Sequence, residues 1–210
     1  MNSIETDLQI ENVINQLFDD AKYDRFKMMK VVPKFIFKPM EPIDFKEVYL
    51  SISKEQGEDL KQLIIAKGIQ NIVEFGTSFG ISTLFLAQGA LETDGKIITT
   101  ELVESKAYKA IENFKNAGVN EIIDLRIGDA INTLKNHSES IDLLVLDGWK
   151  DLYLPLFQLL ESNFHKNTII YVDNADMKDT QVFLNVISQN DKYRLESKYL
   201  GKVVLITPIN

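Results

Sequence analysis

Short apolar segments alternate with longer amphipathic ones from Asn71 to Gln189, and this alternation constrains the fold more than any other feature. The short segments are apolar on both faces, as strands are when helices cover both sides of a parallel sheet. Each is followed by a segment with apolar residues at helical spacing. The pattern therefore predicts a doubly wound α/β fold. The predicted strands cover 71–75, 96–101, 121–127, 141–146 and 167–172, and the predicted helices cover 80–90, 104–117, 150–162, 178–189 and a short stretch from Asp129.

The first fifty residues have a different character. Residues 5–30 carry apolar side chains at helical spacing and are predicted to be helical. Residues 31–42 contain three prolines and predict an extended connection. Ser53 and Gln56 form the Ser-x-x-Gln pattern of a capping box, which marks the start of the next helix. We therefore expect a helical N-terminal extension over residues 1–50.

The end of the chain predicts antiparallel strands beside the parallel ones. Residues 193–200 (YRLESKYL) and 202–208 (KVVLITP) are rich in β-branched, aromatic and aliphatic residues and are separated by Gly201, as in a hairpin. Residues 51–210 are therefore predicted to form one domain, with a mostly parallel sheet that ends in an antiparallel hairpin.

Composition and charge limit the classes of function. The net charge of −8 and the pI near 4.9 argue against a nucleic-acid binder, which needs a surplus of Lys and Arg on one face. The absence of Cys excludes disulfides, thiolate metal sites and thiol nucleophiles. The opening MNSIETDLQIENVI lacks the features of a signal peptide, and no apolar run is long enough to cross a membrane. We expect a cytoplasmic protein without a membrane partner, and a homodimer stays open.

In a doubly wound sheet, ligands bind beyond the carboxyl ends of the strands, so the residues that follow each strand are the first candidates for a site. Glu74, Gly76 and Gly80 lie in the turn after the first predicted strand, in the segment VEFGTSFGIST. The glycines allow a tight turn and a close approach of a ligand to the backbone. The middle glycine of the G-x-G-x-x-G dinucleotide pattern is missing, which disfavours a nicotinamide dehydrogenase. A generic strand–helix turn is the alternative.

Two acids follow the next two strands. Glu101 ends the second strand, where a carboxylate suits the hydroxyl groups of a ribose, and a plain acid at a helix N-terminus is the alternative. Asp129 follows the third strand and is suited to capping the next helix or to contacting an adenine amino group. The two roles of Asp129 are compatible.

Oxygen-bearing side chains follow the fourth and fifth strands. Asp147 ends the fourth strand, and Asp173 and Asn174 end the fifth. If these strands are neighbours, the three side chains converge, because adjacent strands lie only about 5 Å apart. An all-oxygen set suits a hard cation such as Mg²⁺, Mn²⁺ or Ca²⁺. The alternative is that each acid only caps the segment that follows it.

Two further side chains come directly after Asp147. Lys150 is either a solvated surface residue or, beside a divalent cation that favours the neutral amine, a general base for a hydroxyl group. Trp149 is the only Trp in the chain and is either a packing residue or a flat wall for an adenine or an aromatic substrate.

Together these motifs resemble the S-adenosylmethionine-dependent O-methyltransferases of the catechol and caffeoyl-CoA type. The resemblance runs from about Ser51 to Asp176. It rests on VEFGTSFGISTLFLA, Glu101, GDA, LDGWKDLYLP and YVDNAD, of which the run D-x-W-K-D-x-Y-L-P is especially close to catechol O-methyltransferase.

The resemblance implies a Rossmann-like methyltransferase fold and a role for each matched residue. Lys150 would be the catalytic base, and Asp147, Asp173 and Asn174 would bind Mg²⁺, or Mn²⁺ or Ca²⁺. The residues that would bind S-adenosylmethionine are Glu74, Gly76, Gly80, Ser82, which would reach its carboxylate, Glu101 at the ribose, Asp129 and Trp149 beside the adenine, and Asp147.

The implied activity is metal-assisted methylation of a hydroxyl group on a small catechol-like or phenolic acceptor, with contacts to the substrate or a second subunit coming partly from residues 1–50. A metal-independent methyltransferase acting on a carboxylate or a nitrogen, and a non-catalytic S-adenosylmethionine-binding protein, are the alternatives. One departure concerns Gly148, which stands where catechol O-methyltransferase has a His that contacts the adenosine.

Overall fold

The computed structural model of the chain describes residues 3–31 and 40–209, and its central element is a seven-stranded sheet. The strands are β1 (Asn71–Phe75), β2 (Lys96–Glu101), β3 (Ile123–Ile127), β4 (Ile141–Leu146), β5 (Phe164–Val172), β6 (Tyr193–Lys198) and β7 (Val203–Pro208). They lie in the order β3-β2-β1-β4-β5-β7-β6. β1 to β5 are parallel, and β7 pairs antiparallel with both β5 and β6. The predicted α/β fold with a mostly parallel sheet and an antiparallel C-terminal hairpin is confirmed.

Helices cover both faces of this sheet. They are α1 (Ser3–Ala21), α2 (Asp24–Val31), α3 (Lys54–Lys67), α4 (Ile81–Glu92), α5 (Glu104–Asn116), α6 (Ala130–Leu134), α7 (Tyr153–Leu160) and α8 (Lys178–Ser188). Side chains of α1, α3, α4 and α5 form one apolar cluster with one face of the strands, and those of α6, α7 and α8 form a second cluster with the other face. Successive strand residues, such as Leu143 and Leu144 of β4, enter opposite clusters, as the pleat of a strand requires.

The N-terminal region departs from the prediction in one respect. The helical structure predicted over 5–30 is confirmed except at Lys22 and Tyr23, where the chain turns between α1 and α2. Their backbone N–H groups donate to the carbonyls of Asp19 and Asp20, three residues back, and so close a turn instead of a further helical turn. Most of the extended connection predicted over 31–42 lies outside the described residues; within the described part, Pro42–Phe45 forms a short 3-10 helix.

Several predicted boundaries also shift. The strand predicted from 121 begins at Ile123 after a 3-10 turn, and the strand predicted from 167 begins at Phe164. The helix predicted over 150–162 is divided into α7 and 3-10 turns at Lys150–Leu152 and Glu161–Asn163. The apolar middle of the predicted segment forms the α-helix α7, and the segments on either side of it form 3-10 turns.

The capping box at the start of α3 is confirmed. The Ser53 hydroxyl accepts a hydrogen bond from the Gln56 backbone N–H at 3.1 Å, and the Gln56 side-chain oxygen accepts one from the Ser53 N–H at 2.9 Å. α3 then packs closely on α4 through glycines: a Cβ at Gly57 would lie 2.3 Å from the Phe85 ring. This close contact fixes the start of α3 over the end of the sheet where the site lies.

The carboxyl ends of the central strands are aligned by backbone hydrogen bonds. Asp147 N–H donates to the carbonyl of Phe75 at 3.0 Å, and Asp173 N–H donates to the carbonyl of Leu146 at 3.0 Å. The residues that follow β1, β4 and β5 therefore meet at one edge. No helix within the described residues is long and apolar enough to span a membrane.

Candidate functional site

The turn after β1 brings the backbone of two strands into close contact. Gly76 has a φ of +106°, and a Cβ there would lie 2.7 Å from the Gly148 nitrogen and 2.8 Å from the Asp147 carbonyl. Gly80 has a φ of +93° and would place a Cβ 2.5 Å from the Phe114 ring. Both positions therefore require glycine for local packing, and a role in cofactor binding stays a prediction for each.

Glu74 is fully buried in a cluster of hydroxyl groups. Its carboxylate accepts hydrogen bonds of 2.6 Å from the hydroxyls of Ser82, Thr83 and Thr99. Burial raises the pKa of Glu74, and these hydroxyl groups oppose the rise. The Ser82 hydroxyl, expected to reach the cofactor's carboxylate, thus donates to Glu74 in this structure. It would have to turn to donate to a ligand, so the two predicted binding roles stay untested.

Glu101 lies at the end of β2 and holds the glycine turn in place. Its carboxylate oxygens accept hydrogen bonds from the backbone N–H groups of Ser78 at 2.8 Å and Val103 at 2.7 Å. Burial raises the pKa of Glu101, opposed by the Val103 N–H group and the nearby Lys106 ammonium. Each carboxylate oxygen keeps a further lone pair, so the predicted binding of a ribose is compatible with these contacts.

Lys106 is a site residue that the sequence reasoning missed. Its side chain leaves the first turn of α5, yet the residue is only 4% exposed. Its Nζ donates to the Ser78 hydroxyl at 3.2 Å and lies 5.3 Å from the centre of the Phe79 ring. Burial lowers the pKa of Lys106, while the Glu101 carboxylate opposes the change. A lysine five residues after Glu101 matches no recognisable motif, so only the fold reveals this contact.

Asp129 caps the N-terminus of α6, which confirms one of its two predicted roles. Its carboxylate accepts hydrogen bonds from the Ile131 N–H at 2.9 Å and the Asn132 side-chain amide at 3.1 Å. The residue is exposed at the edge of the sheet. The contact to an adenine stays a prediction.

Asp147 and Asp173 lie side by side at the ends of β4 and β5. Burial raises the pKa of Asp147 well above its ordinary value, and the neighbouring Asp173 carboxylate raises it further. Burial also raises the pKa of Asp173, opposed by hydrogen bonds that its carboxylate accepts. The titrations of the two groups are linked, because two neighbouring negative charges repel each other in a buried site. A cation would relieve this repulsion.

Asn174 completes the oxygen-bearing cluster. Its backbone adopts a left-handed conformation with a φ of +52°, and its amide donates to an oxygen of Asp173 at 2.7 Å. Among residues 3–31 and 40–209, no group of three or more His, Cys, Asp or Glu side chains is arranged to hold a metal. The cluster instead offers two carboxylates and one amide oxygen, a donor set that fits a hard divalent cation.

Lys150 lies beside the acidic pair with its side chain only 15% exposed. Its Nζ is 3.8 Å from an oxygen of Asp147 and donates to the carbonyl of Gly148 at 2.9 Å. It also lies 5.5 Å from the centre of the buried Tyr153 ring. The solvated surface position considered for this lysine is therefore wrong, and its amine faces the acidic cluster.

The loop between Asp147 and Lys150 is shaped by aromatic rings. A Cβ at Gly148 would lie 2.5 Å from the Phe75 ring, so a larger side chain does not fit without movement. Trp149 is half-buried and packs against Phe45 of the N-terminal segment, with ring centres 6.3 Å apart. The Phe75 ring thus gives a packing reason for glycine at 148, and the proposed adenine wall at Trp149 stays a prediction.

A cavity of about 640 Å³ opens beside the acidic cluster. Its walls come from α1, from the segment that leads into α3, from the loop after β5 and from the start of β7. The lining residues are Phe18, Ala21, Lys22, Ser51, Ile52, Ser53, Gln56, Asp173, Asn174, Asp176 and Lys202. Phe18 and Ile52 therefore line the same cavity as Asp173 and Asn174, two of the three predicted metal ligands.

The parallel sheet carries a glycine turn after β1, an acid after β2 and an acidic cluster after β4 and β5, the features on which the resemblance to O-methyltransferases rests, and the sequence comparisons agree with that family. The O-methyltransferase family model matches residues 13–195, so the chain belongs to the O-methyltransferase family. The predicted resemblance is thereby confirmed at the level of the family.

Similar proteins of known name include catechol and caffeoyl-CoA O-methyltransferases. The chain is 33% identical over 130 residues to a catechol O-methyltransferase of Niastella koreensis, covering 60% of this chain and 58% of that protein. It is 29% identical over 164 residues to a caffeoyl-CoA O-methyltransferase of Medicago sativa, covering 73% of this chain and 62% of that protein. The chain thus spans about three fifths of the length of these relatives.

Solved structures support the fold. The SAH-bound Podospora anserina methyltransferase PaMTH1 superposes with a TM-score of 0.74 at 20% sequence identity, covering 92% of this chain and 88% of that chain. At this identity the similarity concerns the fold alone.

The contact between Gly148 and Phe75 predicts a coupled pair. Gly148→Ala should lower the free energy of unfolding by about 1–3 kcal/mol, because the new methyl group overlaps the Phe75 ring. Phe75→Leu removes that ring, so the double variant should be more stable than the two single effects predict when they are added. Urea denaturation of the four proteins measures the coupling. Simple additivity would contradict the packing explanation.

The acidic pair predicts a pH dependence of stability in the metal-free protein. The folded-state pKa values of Asp147 and Asp173 are raised, so their stabilising contribution is complete below the ordinary Asp pKa near 3.8 and is lost as the pH rises through the raised values. With EDTA present, we expect the free energy of unfolding to fall as the pH rises above the ordinary Asp pKa.

Asp173→Asn removes one acid of the pair and should flatten this pH profile. Urea denaturation at several pH values measures the difference between the two proteins, which cancels the titration of groups elsewhere. Parallel profiles for the wild type and the variant would show that the pair does not carry the effect.

Proposed function

We propose that the chain catalyses S-adenosylmethionine-dependent, divalent-metal-assisted methylation of a hydroxyl group on a small catechol-like or phenolic molecule. The observation that carries the proposal is the convergence of Asp147, Asp173 and Lys150, of which Asp173 lines a cavity. Membership of the O-methyltransferase family supports the reaction type. Relatives named catechol and caffeoyl-CoA O-methyltransferase support the acceptor class.

S-adenosylmethionine would bind over the glycine turn. Glu101 would accept hydrogen bonds from the ribose hydroxyls, since its carboxylate is already held in place by the Ser78 and Val103 N–H groups. Gly76 would contribute backbone groups of the turn, which its lack of a side chain lets lie close to the backbone of Asp147 and Gly148. The SAH bound to the structurally similar PaMTH1 supports this choice of co-substrate.

Asp147, Asp173 and Asn174 would hold the divalent cation. Their donor atoms are all oxygens, and the repulsion within the acidic pair would fall when a cation is bound. Mg²⁺ is the proposed ion, with Mn²⁺ or Ca²⁺ as substitutes. When bound, the cation would stabilise the oxyanion of the acceptor and make its hydroxyl group more acidic.

Lys150 would remove the acceptor's proton. Its amine lies 3.8 Å from an oxygen of Asp147, so a hydroxyl group held beside the acidic pair would come within its reach. The proton would pass from the hydroxyl oxygen to Nζ, and that oxygen would form a bond with the methyl carbon as the bond from carbon to sulfur breaks. Holding the oxygen, carbon and sulfur in line would supply much of the acceleration.

The N-terminal extension would help to bind the acceptor. Phe18 and Lys22 belong to α1 or its end and line the same cavity as Asp173. The ring of a phenolic acceptor would pack against Phe18 and Ile52 while its hydroxyl group faces the acids. This arrangement gives residues 1–50 a role in substrate choice, separate from the co-substrate site in residues 51–210.

Metal dependence provides the direct test of this proposal. Methyl transfer from S-adenosylmethionine to a panel of phenols, catechols and flavonoids should stop in excess EDTA and return with Mg²⁺. Full activity in EDTA would favour the metal-independent alternative on a carboxylate or a nitrogen. Binding of S-adenosylmethionine without turnover on any acceptor would favour a non-catalytic binding protein.

The role of Lys150 predicts a selective loss. Lys150→Ala should keep S-adenosylmethionine affinity, measured by calorimetry, and lower kcat by about a hundredfold or more, because it removes the proton acceptor. Lys166→Ala, at an exposed lysine away from the site, is the matched control and should leave both values unchanged. An unchanged kcat in the Lys150 variant would exclude this lysine as the base.

A further inference from the structure

The side chain of Gln56 has two functions, of which the sequence motif reveals only one. Its Oε1 accepts the Ser53 N–H at 2.9 Å, which completes the capping box of α3. Its Nε2 is left free by the cap and donates to an oxygen of Asp173 at 2.9 Å. The helix cap is thus joined directly to a predicted metal ligand that lies 117 residues later in the chain.

The contact acts on the orientation of the Asp173 carboxylate. Gln56 donates to one oxygen at 2.9 Å, and the Asn174 amide donates to the other at 2.7 Å. Asp173 itself is only 5% exposed, so water has little access to its oxygens. Two side-chain amide donors, one on each oxygen, therefore fix the rotation of the carboxylate, which also contacts the Asp147 side chain and the Asn174 backbone.

The position of Gln56 is itself held rigidly. The capping box fixes its backbone and its side-chain oxygen, and Gly57 places this turn of α3 against the Phe85 ring of α4. Gln56 also lines the cavity beside Asp173 and Asn174. A glutamate would complete the same cap, yet it would lack the donor and bring a third negative charge to the acidic pair.

We propose that Gln56 is a positioning residue that orients Asp173 for binding of the divalent cation. This inference rests on the proposed function, since it requires that Asp173 is a metal ligand. Residues that orient metal ligands through hydrogen bonds commonly change metal affinity by about 10–100-fold when they are replaced. Gln56 would therefore act on the metal through Asp173, without contact to the reacting atoms.

The test compares Mn²⁺ binding to the intact wild-type protein and its variants by electron paramagnetic resonance. Gln56→Leu removes both the donor to Asp173 and the side-chain acceptor of the cap, and should weaken Mn²⁺ binding by about tenfold or more. Ser53→Ala removes the other half of the cap and keeps the donor, so its Mn²⁺ affinity should stay within about twofold of the wild type. Gln56→Asn shortens the side chain by one methylene and so draws its amide away from Asp173. It takes the place of the Leu variant, with the same expected direction of change, if that variant does not fold.

The outcomes separate the inference from the proposed function. Failure of the wild-type protein to bind Mn²⁺ would overturn the metal site and with it the proposed function. Equal affinity in the wild type and the Gln56 variants would overturn the inference alone, as would a parallel loss in Ser53→Ala, which would assign the effect to the helix cap. A rise in the KM for a phenolic acceptor with unchanged Mn²⁺ affinity would also overturn it, because Gln56 would then contact the acceptor.

Discussion

The repulsion between Asp147 and Asp173 is the interaction on which the rest of the site depends. Parallel pairing of β4 with β5 sets the two acids side by side, and the surrounding core keeps water from screening them. The neighbouring polar groups present a positive charge or hydrogen-bond donors to the two carboxyl groups. Lys150 lies near Asp147, and the amides of Gln56 and Asn174 donate to Asp173. A site built only for stability would not need two adjacent buried carboxyl groups, because apolar residues of similar volume are often at least as stable.

Sequence patterns predict the features that depend on local spacing. The limits of β1, β2 and β4 follow from apolar runs, and the neighbouring positions of Asp147 and Asp173 follow from parallel pairing of their strands. The break between α1 and α2 was missed, because the apolar stripe continues across Lys22 and Tyr23 and only local backbone hydrogen bonds reveal the turn. The spacing of apolar residues predicts which face of a segment is buried, but it does not predict where the helix is interrupted.

Contacts between residues far apart in the chain could not be predicted from sequence patterns. Lysines usually lie at the surface, and nothing in the sequence around Lys106 predicts otherwise. Lys106 is buried because α5 lies against the glycine turn, where its amine donates to the Ser78 hydroxyl. Gln56 was recognised as part of a cap, while its contact with Asp173 depends on the packing of α3 over the sheet. Gly148 departs from the catechol O-methyltransferase pattern, and the Phe75 ring on the neighbouring strand supplies a physical reason. In each case the partner is far away in the chain, and no periodic pattern links the two residues.

The central claim is that the ends of β4 and β5 form a divalent cation site next to the co-substrate. Crystals grown with Mn²⁺ and S-adenosylhomocysteine test it most directly, because anomalous scattering locates manganese independently of any assumed ligand. We expect one peak about 2.2 Å from oxygens of Asp147, Asp173 and Asn174, a distance typical of oxygen ligands. Bound S-adenosylhomocysteine without a peak at these residues, or with manganese held elsewhere, would contradict it.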